Sequence, residues 1–362
     1  MHTLTAADPQ PAAASCRPHP HHSLKEDQPV VAPRKLRLTS REDIVVAVPY
    51  LLGFHPQDSL VCVVLDNQRI RFVARLDLPQ PPEVHQLSAP AAQTAAMISR
   101  YGSAAILVGY GPADRVEPAA EVLTAALLAA AVDVLEVLRV DEGHYWCLCG
   151  DPDCADGVAY DPSASIVPAE AVYLGIAPLP DRAALEQLIT PVTGPERDRM
   201  RAASDTALRR LTDMLSGISS VGGQPSTPEH VARSGIAAVR QAYESAARGE
   251  TLSDDDVAWL AAVLMVPQVR DHAWIACDGS DEQRRLWIDV TRRATPGTSA
   301  APACLLAITA YLAGDGALAN IAVDRSLRAD PDYHLAQLLG HALQAGVPPH
   351  LWHAATTGKT TD

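Results

Sequence analysis

Pro49-Tyr50-Leu51-Leu52-Gly53-Phe54-His55-Pro56-Gln57-Asp58-Ser59-Leu60-Val61 reads as a helix end, a polar turn and the start of a buried strand. Ser40 has the side chain of a helix cap, and Glu42 and Asp43 fall in the first turn, where acidic groups suit the helix dipole. Ile44, Val45, Val48, Leu51 and Leu52 recur at helical spacing and predict one buried face. Gly53 suits the left-handed residue that closes a helix, and Pro56 keeps the chain from resuming it. Ser59 to Leu65 then has strand composition. A helix meeting a buried strand through so short a turn predicts an α/β layer.

The pattern continues outward from there. Leu60 to Leu65 and Arg69 to Leu78 flank Asp66-Asn67-Gln68 and predict a hairpin. Its second strand alternates Ile70, Phe72, Ala74 and Leu76 with Arg69, Arg71, Val73, Arg75 and Asp77, which predicts one wet face. A helix over 89–101 and a strand over 104–108 follow. Next comes an alanine-rich helix over 114–131, with Pro118 expected in its first turn. Strands over 134–140 and 144–148 flank Asp141-Glu142-Gly143. Residues 149–161 read as a polar loop. The order predicts a mixed sheet with flanking helices.

Pro178, Pro180, Pro191 and Pro195 mark a linker over 178–195. Beyond it no strand is expected, and helices are predicted near 196–216, 228–248, 253–265, 267–276, 280–294, 302–313, 316–329 and 332–345. Gly222-Gly223-Gln224-Pro225-Ser226 reads as a break between them. Residues 1–35, rich in Pro, Ala and His, read as a disordered tail, and 351–362 as a flexible one. The expected organisation is therefore an α/β domain over 36–177 and an all-α domain over 196–350.

Composition narrows the function classes. The chain of 362 residues is 48% hydrophobic but only 4% aromatic, so its cores must be built from Ala, Val and Leu. A net charge of −14, spread along the chain, disfavours nucleic acid and anionic membrane as partners. No run of about 18 apolar residues predicts a spanning helix. The first residues lack the basic-then-apolar order of a signal peptide. Seven scattered cysteines, Cys16, Cys62, Cys147, Cys149, Cys154, Cys277 and Cys304, suit a reducing compartment. A cytoplasmic protein is expected.

Three blocks carry a resemblance. Pro49 to Val61 with Arg75-Leu76-Asp77-Leu78-Pro79, Cys149 to Pro162, and Gly314 to Pro349 together resemble an uncharacterised actinobacterial family, a domain of unknown function. The resemblance covers most of the chain from about Leu36 and implies a fold but no activity. It departs at Cys154-Ala155, where the family often has adjacent cysteines. Separately, Leu305 to Leu312, the Gly314-Asp315-Gly316 turn and Leu318 to Tyr333 are similar to a single tetratricopeptide unit. About three such units are needed for a free-standing solenoid, so a helical hairpin within a bundle is expected.

Candidate sites follow from residue types. His55, Asp58 and Ser59 offer a base, an acid and a hydroxyl at a strand mouth, and are the candidate ligand-binding residues. The glycine-flanked elbow of serine hydrolases is missing, so no catalytic residue is assigned. Cys147, Cys149 and Cys154, with His144 nearby, have the donor types of zinc, but no second Cys-x-x-Cys pair follows. No complete metal site is read, and Cys149 and Cys154 are the ligands from which one would start. The His19-Pro20-His21-His22 cluster reads as tail. No phosphate-binding motif is present, and no cofactor is expected. Gly109-Tyr110-Gly111-Pro112 is a strand-to-helix turn of the kind that borders ligands in α/β folds. Asp315 reads as a helix cap. The expected function is partner binding by the helical half, with a ligand site or enzyme centre at the strand ends as the alternative.

Overall fold

A computed structural model describes residues 38–80, 86–150, 156–217, 220–221, 224–225, 227–349 and 351. Helix α1 (Arg41–Leu52) starts where Ser40 accepts the Asp43 amide and ends at Gly53 with φ 79°. Strands β1 (Ser59–Asp66) and β2 (Arg69–Asp77) form the expected hairpin, turned by Asn67 and Gln68 at positive φ. Helix α2 (Ser88–Ile98), strand β3 (Ala104–Tyr110), helix α3 (Ala113–Ala129), and strands β4 (Asp133–Asp141) and β5 (His144–Cys147) complete the pattern read from the sequence. Pro118 is the sixth residue of α3 rather than a member of its first turn, and the helix runs through it.

A six-stranded sheet results, in the order β2-β1-β3-β4-β5-β6, with β6 being Val158–Ala159. That last strand falls where a loop is expected, since two residues hold no readable alternation. The β3–β4 pair is parallel, and its neighbours are antiparallel. Direct opposition runs across the sheet from Arg75 through Val61, Val108 and Leu138 to Cys147, so these five share one face.

That face packs under α1, burying Val45, Val48 and Leu52 against Val61, Val63, Ile106 and Val108. The opposite face carries Leu60, Cys62, Val64 and Leu107 and is covered by α2 and α3. The face of β2 expected to be wet is only partly so: Val73 packs on the core and Arg75 is 14% exposed.

Helices α4 (Val167–Tyr173) and α5 (Arg182–Gln187) follow, the latter inside the proline-marked stretch. Leu179 pairs with Phe54 in an isolated bridge, and its amide donates to Gly53 O at 2.8 Å. The remaining helices are α6 (Gly194–Leu215), α7 (Pro228–Ala247), α8 (Asp254–Val263), α9 (Pro267–Ile275), α10 (Asp281–Arg293), α11 (Ala300–Leu312), α12 (Gly316–Ala329) and α13 (His334–Gln344). All eight lie within a few residues of their expected positions. The region also holds strands β7 (Ser220–Val221) and β8 (Gln224–Pro225), a two-residue pair where no strand is expected. The fold is thus a mixed α/β sheet layered with helices, followed by a helical region.

Candidate functional site

The turn after α1 is built by three backbone constraints. Phe54 is fully buried, its neighbour His55 is exposed, and the His55 amide donates to Leu179 O at 3.0 Å. Asp58 takes φ 44°, a left-handed backbone that Asp tolerates better than most side chains. Ser59, the first residue of β1, is fully buried, and its hydroxyl donates to Gln57 O at 2.6 Å.

Asp58 is clasped rather than free. Its carboxylate accepts from Arg115 Nη1, Arg115 Nη2 donates to Leu78 O at 3.1 Å, and the Leu78 amide donates to Asp58 O at 2.9 Å. The ring ties the start of β1, the end of β2 and the first turn of α3 together. Glycines let the parts approach. A Cβ on Gly109 would sit 2.2 Å from Val116 Cγ1, and Gly111, at φ 139°, lies beside the Asp58 carboxylate. The strand end therefore brings together Asp58, Arg115 and Gly111. It does not gather His55, Asp58 and Ser59 into one donor set, because Ser59 turns inward to backbone.

Arg115, half-buried, is what sequence reading missed, along with half-buried Arg75 and buried Arg139. Arg75 pairs with Asp77 at 2.6 Å and lies over the Phe54 ring. Arg139 faces Asp141 at 3.6 Å and stacks on Trp146 at 3.6 Å, a cation–π contact. The signal was present: Arg-x-Asp closes both β2 and β4, and strand alternation puts such a pair on one face. The Nε atoms of Arg75, Arg115 and Arg139 are buried without a hydrogen-bond partner.

At the end of β5, Cys147 donates to Glu136 Oε2 at 3.6 Å, and Arg41 Nε reaches both Glu136 oxygens at 3.1 Å. Burial pushes the Cys147 thiol up to about 12. His144 stacks near Trp146 at 5.9 Å, and those two alternate with Tyr145 and Cys147, so its ring leaves the thiol side. Cys154, Cys16 and the cluster at His19 to His22 lie outside the described residues. Among the described residues, no group of three or more His, Cys, Asp or Glu is placed to hold a metal ion.

In the helical region, Asp315 caps α12 by accepting the Leu318 amide at 2.9 Å, and burial raises its carboxyl. Trp259 on α8 lies under Arg210 of α6, with the guanidinium 3.9 Å from the ring. Trp259 also lines a small depression with Ala238, Gln241, Leu252 and Asp256.

Residues 42–350 match the family described as Domain of unknown function (DUF4192). The chain belongs to that family. The DUF4192 match spans both the sheet and the helical region, from the first turn of α1 to just beyond α13. No curated protein and no solved structure gives a match. Among the described residues of the DUF4192 domain, no helix is long and apolar enough to cross a membrane.

Proposed function

We propose that the protein works by binding a protein partner, with the helical region over 196–350 presenting the surface and the α/β region over 36–177 supporting it. The observation that carries this reading is the Arg210–Trp259 stack at the rim of the depression between α7 and α8. Trp and Arg are the residue types that most often dominate binding energy at interfaces. Asp256 and Gln241 add polar groups beside an apolar floor of Ala238 and Leu252. In this reading α11 and α12 form a single tetratricopeptide-like hairpin inside the bundle, and the chain acts in the cytoplasm, away from nucleic acid.

A second reading, a small ligand at the strand ends, is favoured by the Asp58–Arg115 pair, whose carboxylate lies beside Gly111, and by the unpaired Arg115 Nε. The two readings separate in one experiment. Full-length chain is used to capture partners quantitatively, as wild type, Trp259→Ala, Arg210→Ala and Asp58→Asn. Partner binding by the helical surface predicts proteins held by wild type and Asp58→Asn but lost with the first two variants. Equal capture by all four would overturn it. A small molecule retained in native mass spectrometry and lost only with Asp58→Asn would establish the second reading instead.

A further inference from the structure

Two thiols at the end of β5 play no part in the proposed function. Cys147 is the last residue of the strand, and Cys149 follows two positions later, where the chain bends and Gly150 takes φ 77°. Cys147 is 9% exposed and Cys149 is exposed, while Cys62, Cys277 and Cys304 are buried at 2% or less. The Cys147 thiol is in hydrogen-bond contact with Cys149 and also touches the Glu136 carboxylate. Glu136 is fixed in turn by the fork from Arg41. An exposed cysteine, a buried cysteine hydrogen-bonded to it and a carboxylate touching the buried one therefore follow in sequence. Cys149 is the one exposed cysteine among those described.

We propose that Cys147 and Cys149 are a dithiol modification site that low-molecular-weight disulfides oxidise to a local bridge, with Cys149 the entry sulfur and Cys147 the resolving one. In the first step the Cys149 thiolate, its proton given to water, attacks one sulfur of the small disulfide. A mixed disulfide forms at Cys149 and one small thiolate leaves. In the second, Cys147 gives its proton to water and attacks Cys149 Sγ. The Cys147–Cys149 bond forms, the mixed bond breaks, and the second small thiolate leaves and takes up a proton from water. The protein pair loses two electrons and the small disulfide gains them, becoming two thiols. Such exchange depends on access for the entry sulfur and on which sulfur is next attacked. Exposure of Cys149 and its contact with Cys147 meet both conditions.

The test treats freshly purified, reduced full-length chain with oxidised glutathione, alkylates the remaining thiols, and digests with a protease that cuts before Asp151. That cut separates Cys147 and Cys149 from Cys154. The expected result is loss of both alkyl labels from the peptide carrying Cys147 and Cys149, restored by reductant and unchanged in Cys154→Ser. Cys147→Ala should instead stop at glutathione held on Cys149. Glutathione persisting on Cys149 in wild type, a bridge from Cys149 to Cys154, or full labelling of both thiols would each overturn the proposal. The wild-type and Cys154→Ser measurements decide it even if Cys147→Ala does not fold.

Discussion

Asp58 holds φ 44° at the mouth of the sheet and is itself exposed, yet it lends its charge to a guanidinium whose side chain is only 13% exposed. Its role follows from that asymmetry. Asp58→Ala would remove the acceptor and place alanine in a backbone it tolerates poorly. Leaving a buried donor unsatisfied costs about 1–3 kcal/mol. Asp58→Asn keeps both an acceptor oxygen and a side chain suited to positive φ, so its loss should be smaller. His55 engages the fold through its amide, and His55→Ala should stay within about 0.5 kcal/mol. Leu52, buried against the sheet, should cost about 2–5 kcal/mol on truncation to alanine. Urea midpoints should therefore fall most for Leu52→Ala, then Asp58→Ala, Asp58→Asn and His55→Ala. A loss at His55→Ala equal to that at Leu52→Ala would make His55 a core residue. Sequence alone puts Asp58 on the rim with His55. The clasp was not legible, because Arg115 lies on another element, 57 positions away.

Elements were legible where caps and periodicity agreed. Ser40 and Asp315 cap their helices as read from the sequence, Ser253 and Ser280 cap two more, and all four helices start within about a residue of where expected. Two-residue strands such as Val158–Ala159 were not legible, since pairing with β5 rather than any local pattern defines them. Nor were the joints between helices. Arg293 on α10, 7% exposed, donates to Leu252 O at 3.0 Å, to Asp289 at 2.9 Å and to Asp254 at 2.5 Å, fixing the entrance of α8. Arg293, and then Arg199, hold the Asp254 carboxyl below its ordinary value of 3.8. A carboxylate lowered in this way adds stability above its unfolded pKa, and that stability is lost as pH falls through the folded one. Asp254→Asn should cost about 1 kcal/mol near neutral pH, a modest figure because the side chain is 31% exposed and screened. The gap between wild type and variant in urea midpoint should then close as pH drops from about 5 to below the ordinary carboxylate value. A gap that stays constant with pH would mean the ion pair contributes nothing.

At the scale of the whole molecule, the sequence predicts two domains joined by a proline-marked linker, and multidomain chains commonly unfold in separate steps. The packing argues for one step. A single apolar cluster runs from Val45, Val61 and Leu138 through Leu185, Ile189 and Val192 to Leu264, Leu305 and Leu339. The linker stretch is part of it: Leu179 bonds to the turn after α1, and the Val192 amide donates to Arg292 O at 3.0 Å. After α13 the chain returns to the α/β side. A Cβ on Gly346 would lie 2.5 Å from Met97 Sδ of α2, while Tyr311 donates to Val347 O. Removing apolar contacts in one half should thus weaken the other, since residues sharing a packed core do not act independently. Tryptophan placement makes this measurable, with Trp146 in β5 and Trp287 fully buried in α10. Fluorotryptophan-labelled chain followed by fluorine NMR through a urea titration should lose both native signals at one midpoint. Leu52→Ala, far from α10 in sequence, should lower the Trp287 midpoint as much as that of Trp146. If Leu52→Ala moved Trp146 alone and left Trp287 in place, the halves would be independent folding units and the shared cluster only a contact between them.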